Sequence, residues 1–454
     1  MRQKREAVLC FPWIERGQRK IVVEYQEKYK RLSDRLDQHP EVVTLAHRDL
    51  RKLSQGGSKG RKGDYTSENI LRALVVMMVE NLPLRKTIAR IGTTPFLQDF
   101  VRLGDQSVMD YTFLDKCFNA IEPETWQQIN DVLARQAAAD GLIDPSAIRT
   151  DTTVVEANIH YPTDSSLLWD GWRVASRLLR RARERCRYPL FHRFHDTKVK
   201  GLHLFVTRYV KSPSKTRQRA VRSKFRTLVE RVRWIAGIAE SFCADVAGTS
   251  DVELLGISEA LRRVLPSIHT VVETSERAGP RGEKVPASER VFSIFEPHVE
   301  LIVRGKRSKP VEFGHKVVLS QTPEKFITHF ETLVVQKPDN DLTEPALENH
   351  RDTFQSYPDV MAGDKGMNPC AEKRAKLEAK VRVLAIPRKL SDWADEGLVE
   401  WQKFRAGIEG TISVLKRAFR LARCLFRGFK HFASAVGLGV FCHNLVVLAS
   451  HGTG

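Results

Sequence analysis

The chain has 454 residues, with 74 Lys and Arg against 55 Asp and Glu and a formal net charge of +19. A 42% hydrophobic fraction can fill a core and excludes wholesale disorder, while the positive excess points to a polyanionic partner, a nucleic acid or an anionic membrane. Seven scattered cysteines without a CxxC pair argue against a zinc site or disulfide scaffold and fit a reducing cytoplasm.

Residues 1–66 read as an N-terminal basic region and linker. The opening MRQKREAVLCFPWIERG is followed by no apolar stretch long enough for a signal-peptide core. A mixed helix-like pattern runs over 19–53, and the glycine-rich Ser54–Tyr65 breaks it as a flexible linker. Ser67 is an N-cap candidate opening SENILRALVVMMVENL. LRKTIARIG, FLQDFVRLG and PETWQQINDVLARQAAADG follow, so 67–141 is expected to be a helical domain for DNA binding or dimerisation. Arg85, Lys86 and Arg90 on its second helix are compatible with a helix-turn-helix.

The period changes after Pro145. AIRTDTTVVEANI reads as a strand, the first of a catalytic domain, within 142–164. An Arg-rich helical insertion follows over 165–290. The remainder, 291–454, starts with three strand-like blocks, HVELIVRGKR, VEFGHKVVLSQ and FITHFETLVVQ, separated by turn signals. Then come a helix over 343–354, the short strand in YPDVMAGDKG, a Lys/Glu-rich helix over 370–380, the strand VRVLAIP and a helical C-terminal region. The apolar Ala433–Ala449 contains His443 and Asn444 and reads as a buried helix, not a membrane span. Strands first and β-α alternation later imply a mixed α/β sheet with helices on its faces. The ribonuclease-H-like fold has this order, with acids on its first strand, its fourth strand and a late helix.

Three acids fall at those places. Asp151 interrupts a run that otherwise suits a buried strand, a costly position unless the carboxylate is paired or binds a cation. Asp364 ends a strand between Gly363 and Gly366. Glu409 lies in a helix where Arg405 and Lys416, at spacings of four and seven, fall within about 40° of it. Converging carboxylates would bind two hard divalent ions, Mg²⁺ or Mn²⁺, through oxygen. Two such ions about 4 Å apart can activate an attacking oxygen and stabilise a leaving one in phosphodiester cleavage. Glu156 falls on the opposite strand face from Asp151, and Asp164 reads as a cap or turn.

RTDTTVVEANIHYPTDSSLL, EPHVELIVRGKRSKPVEFGHKV, MAGDKGM and FRAGIEGTISVLKRAF resemble the catalytic domain of bacterial insertion-sequence transposases of the DDE class, closest to the ISNCY type. The resemblance covers nearly all of 67–449. The family pattern Tyr-x2-Arg-x3-Glu-x6-Lys maps onto Arg405, Glu409 and Lys416 but has Gln402 at the Tyr position, leaving aromatic packing to Trp401 or Phe404. The resemblance implies a triad of Asp151, Asp364 and Glu409 holding two Mg²⁺ or Mn²⁺ ions. It also implies phosphate contacts from Arg405 and Lys416, with His315 and Lys316 facing the substrate, and a homodimer on double-stranded DNA at transposon ends and target. The expected location is the cytoplasm, on the nucleoid, without membrane association. The alternatives are a catalytically inactive transposase-derived repressor and a nuclease that only hydrolyses.

The charge is not evenly spread. Gly171–Arg233 carries 20 Lys and Arg against three acids, a net of +17, interleaved with aromatic residues. It reads as a folded helical subdomain with a DNA-gripping cationic face, on which Arg180, Arg181, Arg217 and Arg219 are candidate contacts.

Overall fold

Helical and β-branched segments alternate in this computed structural model, which describes residues 19–53, 64–279, 282–304, 309–389 and 396–450. The basic start and most of the expected linker, 54–63, lie outside the described residues. The chain divides into two units, 1–158 with 314–454, and 159–313.

The first unit opens with α1 (Lys20–Gln38), α2 (Pro40–Leu50), α3 (Ser67–Val79), α4 (Leu84–Gly92), α5 (Pro95–Val101), α6 (Tyr111–Ala120) and α7 (Pro123–Ala139). Helix α3 is buried nearly all round, as its unbroken apolar run requires. Its N-cap is Thr66, one residue before the expected Ser67. The Thr66 hydroxyl accepts the Asn69 N–H, and the Asn69 side chain accepts the Thr66 N–H in return. The helical body starts at residue 20 and not at 67, because Tyr29, Leu32, Leu36, Val42 and Val43 are buried. Buried Arg72 ties α1 to α3 through Asp37 at 2.8 Å and Glu68 at 3.0 Å. Strand β1 (Ala147–Ala157) follows.

The second unit holds α8 (Asp164–Arg185), α9 (Asp196–Tyr209), α10 (Lys215–Asp245), α11 (Val252–Ala278) and the short β2 (Glu300–Val303). Its four helices bury Leu168, Trp172, Leu179, Ile235, Phe242, Leu261 and Ile268 in one core. Its limits are wider than the expected 165–290. Val291 and Ile294 pack on that core, and Phe292 meets Phe313 at 5.5 Å.

Within the first unit the chain continues through β3 (Val311–Gln321), β4 (Ile327–Thr332), α12 (Thr343–Phe354), β5 (Val360–Ala362), α13 (Ala371–Glu378), β6 (Val383–Ala385), α14 (Glu396–Ala418), β7 (Arg423–Cys424) and α15 (Phe429–Ser450). Strand β1 pairs antiparallel with β3 and parallel with β5. Strand β3 pairs antiparallel with β4, and β5 parallel with β6, so the sheet reads β4-β3-β1-β5-β6. Strand β7 adds two pairs to the far end of β1. Ile148, Met361 and Ile386 pack with Ala346 of α12 and Leu377 of α13. Strand alternation turns Arg149 and Asp151 to the other face, where α14 lies. Among the described residues α15 is the helix long and apolar enough to cross a bilayer, and 89% of its most apolar window is buried inside the protein. Its Asn444 accepts the Ile327 N–H at 2.8 Å and donates to Asn130 at 2.7 Å, pinning the helix to β4 and α7.

Candidate active site

The parallel register Arg149↔Ala362 sets Asp151 and Asp364 level with each other, each two residues further along its chain. Asp151 is held in mid-strand, with its Oδ1 accepting the Thr152 N–H at 2.7 Å. Asp364 leaves the end of β5 and caps a single 3₁₀ turn, accepting the Met367 N–H at 3.1 Å. Glu409 comes from α14 and is largely solvent-exposed. Arg405, one turn earlier, sits between two of the acids, 3.0 Å from Glu409 and 3.9 Å from Asp151. Burial raises the Asp151 pKa to about 6. The negative charges of Asp364 and Glu409 push the same way, while the Thr152 hydrogen bond and Arg405 oppose them. The three acids therefore share one electrostatic field.

Helix α14 is docked by a polar clamp that the sequence did not advertise. Buried Arg149 donates from Nε to Gln321 Oε1 at 2.9 Å and from Nη1 to the Phe404 carbonyl at 2.8 Å. The Phe404 ring lies under the guanidinium, 4.9 Å away. Gln321 in turn donates to Thr411 Oγ1 at 2.6 Å. Gly407 is required here, because a Cβ at that position would overlap the Arg149 guanidinium. The available signal was the i, i+2 parity of Arg149 with Asp151, together with a glycine two residues before Glu409. Gln402, at the departed family position, is exposed, and Trp401 and Phe404 make an edge contact at 5.9 Å.

A fourth carboxylate was also missed. Asp339, between β4 and α12, accepts from Lys316 Nζ at 2.8 Å and from Thr152 Oγ1 at 3.4 Å. A Cβ at Gly366 would stand 3.2 Å from Asp364 Oδ1 and 3.7 Å from Asp339 Oδ2. So Lys316, expected to face substrate, is committed to Asp339 and to the Lys337 carbonyl at 3.1 Å. His315 is a correction. It is fully buried between Phe429 and Phe432, with Nδ1 against the Leu333 carbonyl at 3.0 Å, and it reaches no surface where DNA could lie. Lys416 is partly buried on the last turns of α14. Glu156 does leave the site, pairing with Arg423 at 3.1 Å. Asp164 opens α8 and pairs with Arg290 at 3.0 Å.

The four candidate arginines of the inserted unit split two and two. Arg180 is ion-paired with Asp196, and Arg181 with Glu253 at 2.9 Å. Arg217 and Arg219 are exposed on the first turns of α10, Arg217 lying over the Tyr209 ring at 5.0 Å.

Among the described residues no group of three His, Cys, Asp or Glu side chains closes tightly enough to hold one ion. The donor chemistry nevertheless suits a hard cation. Asp151, Asp364 and Glu409 offer only oxygen, and burial, reinforced by the neighbouring negative charges, disfavours the ionised Asp151 carboxylate, a cost that a cation would relieve. Arg405 supplies that positive charge between Asp151 and Glu409. No protein-family model, curated protein or solved structure matches the chain.

Proposed function

We propose that the protein is a DDE-type transposase with a ribonuclease-H-like catalytic domain, cleaving DNA at transposon ends and joining them to target DNA. The observation that carries this is geometric: Asp151 and Asp364 follow the parallel-paired residues of β1 and β5 in register, and Arg405 on the late helix α14 bridges Asp151 and Glu409. The strand order β4-β3-β1-β5-β6, with antiparallel neighbours on one side of β1 and parallel ones on the other, supports the fold reading. The motif resemblance supports the family reading.

Asp151, Asp364 and Glu409 would hold two Mg²⁺ or Mn²⁺ ions, which when bound supply an activated attacking oxygen and a stabilised leaving oxygen. Asp151 is the fixed donor, locked in the sheet. Asp364 is aimed by its own capping bond. Exposed Glu409 is the adjustable one, and the Arg149 clamp sets the depth at which its helix docks. Arg405 holds Asp151 and Glu409 together through its own charge. Once that charge is replaced, its guanidinium is available to a DNA phosphate, with Lys416 on the same helix face. The exposed cations of α9 and α10 would track the DNA backbone. Pairing of two transposon ends favours a homodimer, working on the nucleoid in the cytoplasm.

The test is a cleavage and strand-transfer assay with Mg²⁺ on the DNA ends flanking the gene. Asp151→Ala, Asp364→Ala and Glu409→Ala should each abolish both products while DNA binding persists. Hydrolysis without strand transfer would instead identify a simple nuclease, and no cleavage by the parent protein would identify a DNA-binding derivative.

A further inference from the structure

We propose that the inserted helical unit contains a nucleotide pocket, taking one planar base together with its phosphate against the indole of Trp234. A cavity of about 720 Å³ opens among α8, α9 and α10, within the size range of small-molecule sites. Its aromatic wall is built before any ligand arrives. Trp172 is 1% exposed, and its Nε1 donates to Asp196 at 2.8 Å. Asp196 is itself fixed by Arg180. Trp234 stacks on Trp172 at 6.1 Å with 20° between the rings, and Phe194 meets both edge-on. Trp234 remains 38% exposed, so part of a rigidly held indole is left open.

The rim of the same cavity carries Arg193, Lys198, Lys224 and Arg231. Some arginines elsewhere in this unit meet acids, as in Arg181–Glu253, Arg233–Glu276 and Arg277–Glu283, while Arg217 and Arg219 on the open surface of α10 meet none among the described residues. None of the four rim side chains makes a hydrogen bond or ion pair among the described residues. Like charges gathered without a counter-charge repel each other, and an anionic occupant relieves them. A bare inorganic anion would leave the aromatic wall unused. An apolar or cationic ligand would leave the charge unmet. A nucleotide satisfies both, by base–indole stacking and by phosphate–cation pairing. The nucleotide could be free in solution or an unpaired residue of a DNA strand. Neither source depends on the carboxylate chemistry proposed above, so the two readings stand or fall separately.

The experiment titrates the full-length protein into two probes. One is 2-aminopurine deoxyriboside 5′-monophosphate. The other is a duplex with a single unpaired 2-aminopurine, compared with the same duplex in which that base is paired. Stacking in the pocket is expected to quench the 2-aminopurine emission. Quenching of the monophosphate identifies a free-nucleotide site, and quenching of the unpaired duplex alone identifies a strand-nucleotide site. Trp234→Ala should remove the quenching and weaken probe binding about tenfold, with Trp234→Phe retaining most of it. Lys224→Glu, on an exposed side chain, should weaken binding without disturbing the wall, and keeps the test decisive if Trp234→Ala lowers the melting temperature. Absence of quenching with both probes, or quenching unchanged in Trp234→Ala and Lys224→Glu, would overturn the proposal.

Discussion

Asp151 stands where a β-branched residue would fold better, and its cost depends on pH. Its folded pKa, raised to about 6, lies above the unfolded value. The unfolded chain therefore loses this proton first as pH rises, and the group lowers stability progressively between about pH 4 and pH 6. Asp151→Asn should accordingly raise stability at neutral pH, by at most about 3 kcal/mol for a two-unit shift, with the gain vanishing below about pH 4. The buried His329, His350 and His443 act with the opposite sign. Burial lowers each to about 4, so their penalty appears as pH falls from the unfolded histidine range. Chemical denaturation of variant and parent across this range, read as the difference between them, isolates Asp151. A constant difference would show that the carboxylate is not strained. Divalent cation should shrink the difference in the parent protein by stabilising the ionised acid.

At the scale of elements, the site depends on how α14 meets β1. Gly407→Ala would drive a methyl into the Arg149 guanidinium. The expected cost is about 1–3 kcal/mol of stability, with a larger loss of the proposed cleavage activity because Glu409 rides on the displaced helix. Adding Arg149→Gln should relieve much of the Gly407→Ala defect, which a thermal-melt double-mutant cycle would detect as coupling; strict additivity would refute the clamp. Asn444→Ala should cost about 1–3 kcal/mol, since it leaves the Ile327 N–H without its side-chain acceptor. These elements were unequally legible. The periodic helical segments were legible, so α4 and α12 match the expected 84–92 and 343–354, and Asp151 and Glu409 fall on the strand and helix read from the sequence, while Asp364 lies just past the short β5, capping a 3₁₀ turn. Strand β7 was not legible, because two residues between helices carry no alternation to read. The sequence marks 1–66 as a basic region and linker with a helix-like stretch, yet α1 and α2 belong to the helical body, because Tyr29, Leu32 and Leu36 are buried. His315 was misread and Asp339 missed for a shared reason. Their roles depend on residues from distant segments, Phe429 and Phe432 for one and Lys316 and Gly366 for the other.

Over the whole molecule, the charge of +19 resolves into a segment, 171–233, carrying +17. The inserted unit folds around its own core, so this charge rides on a defined helical surface and not on a tail. If that surface grips duplex DNA, the salt dependence of binding should fall by about 0.9 in log–log slope for each phosphate contact removed. Arg217→Glu with Arg219→Glu should flatten it, because both side chains are exposed on α10. Arg180→Glu with Arg181→Glu should do less, because those side chains already face Asp196 and Glu253. Fluorescence anisotropy with labelled duplex across a salt series checks both, and an unchanged slope in both pairs would move the DNA-binding surface elsewhere.

Asp151, Asp364 and Glu409 are proposed to act together as one divalent-metal site. Mn²⁺ binding to the full-length protein, counted by electron paramagnetic resonance, tests it without any DNA substrate. Up to two bound ions per chain are expected, with occupancy sharply reduced in each of Asp151→Asn, Asp364→Asn and Glu409→Gln. Equal Mn²⁺ binding in the parent and all three variants would contradict it.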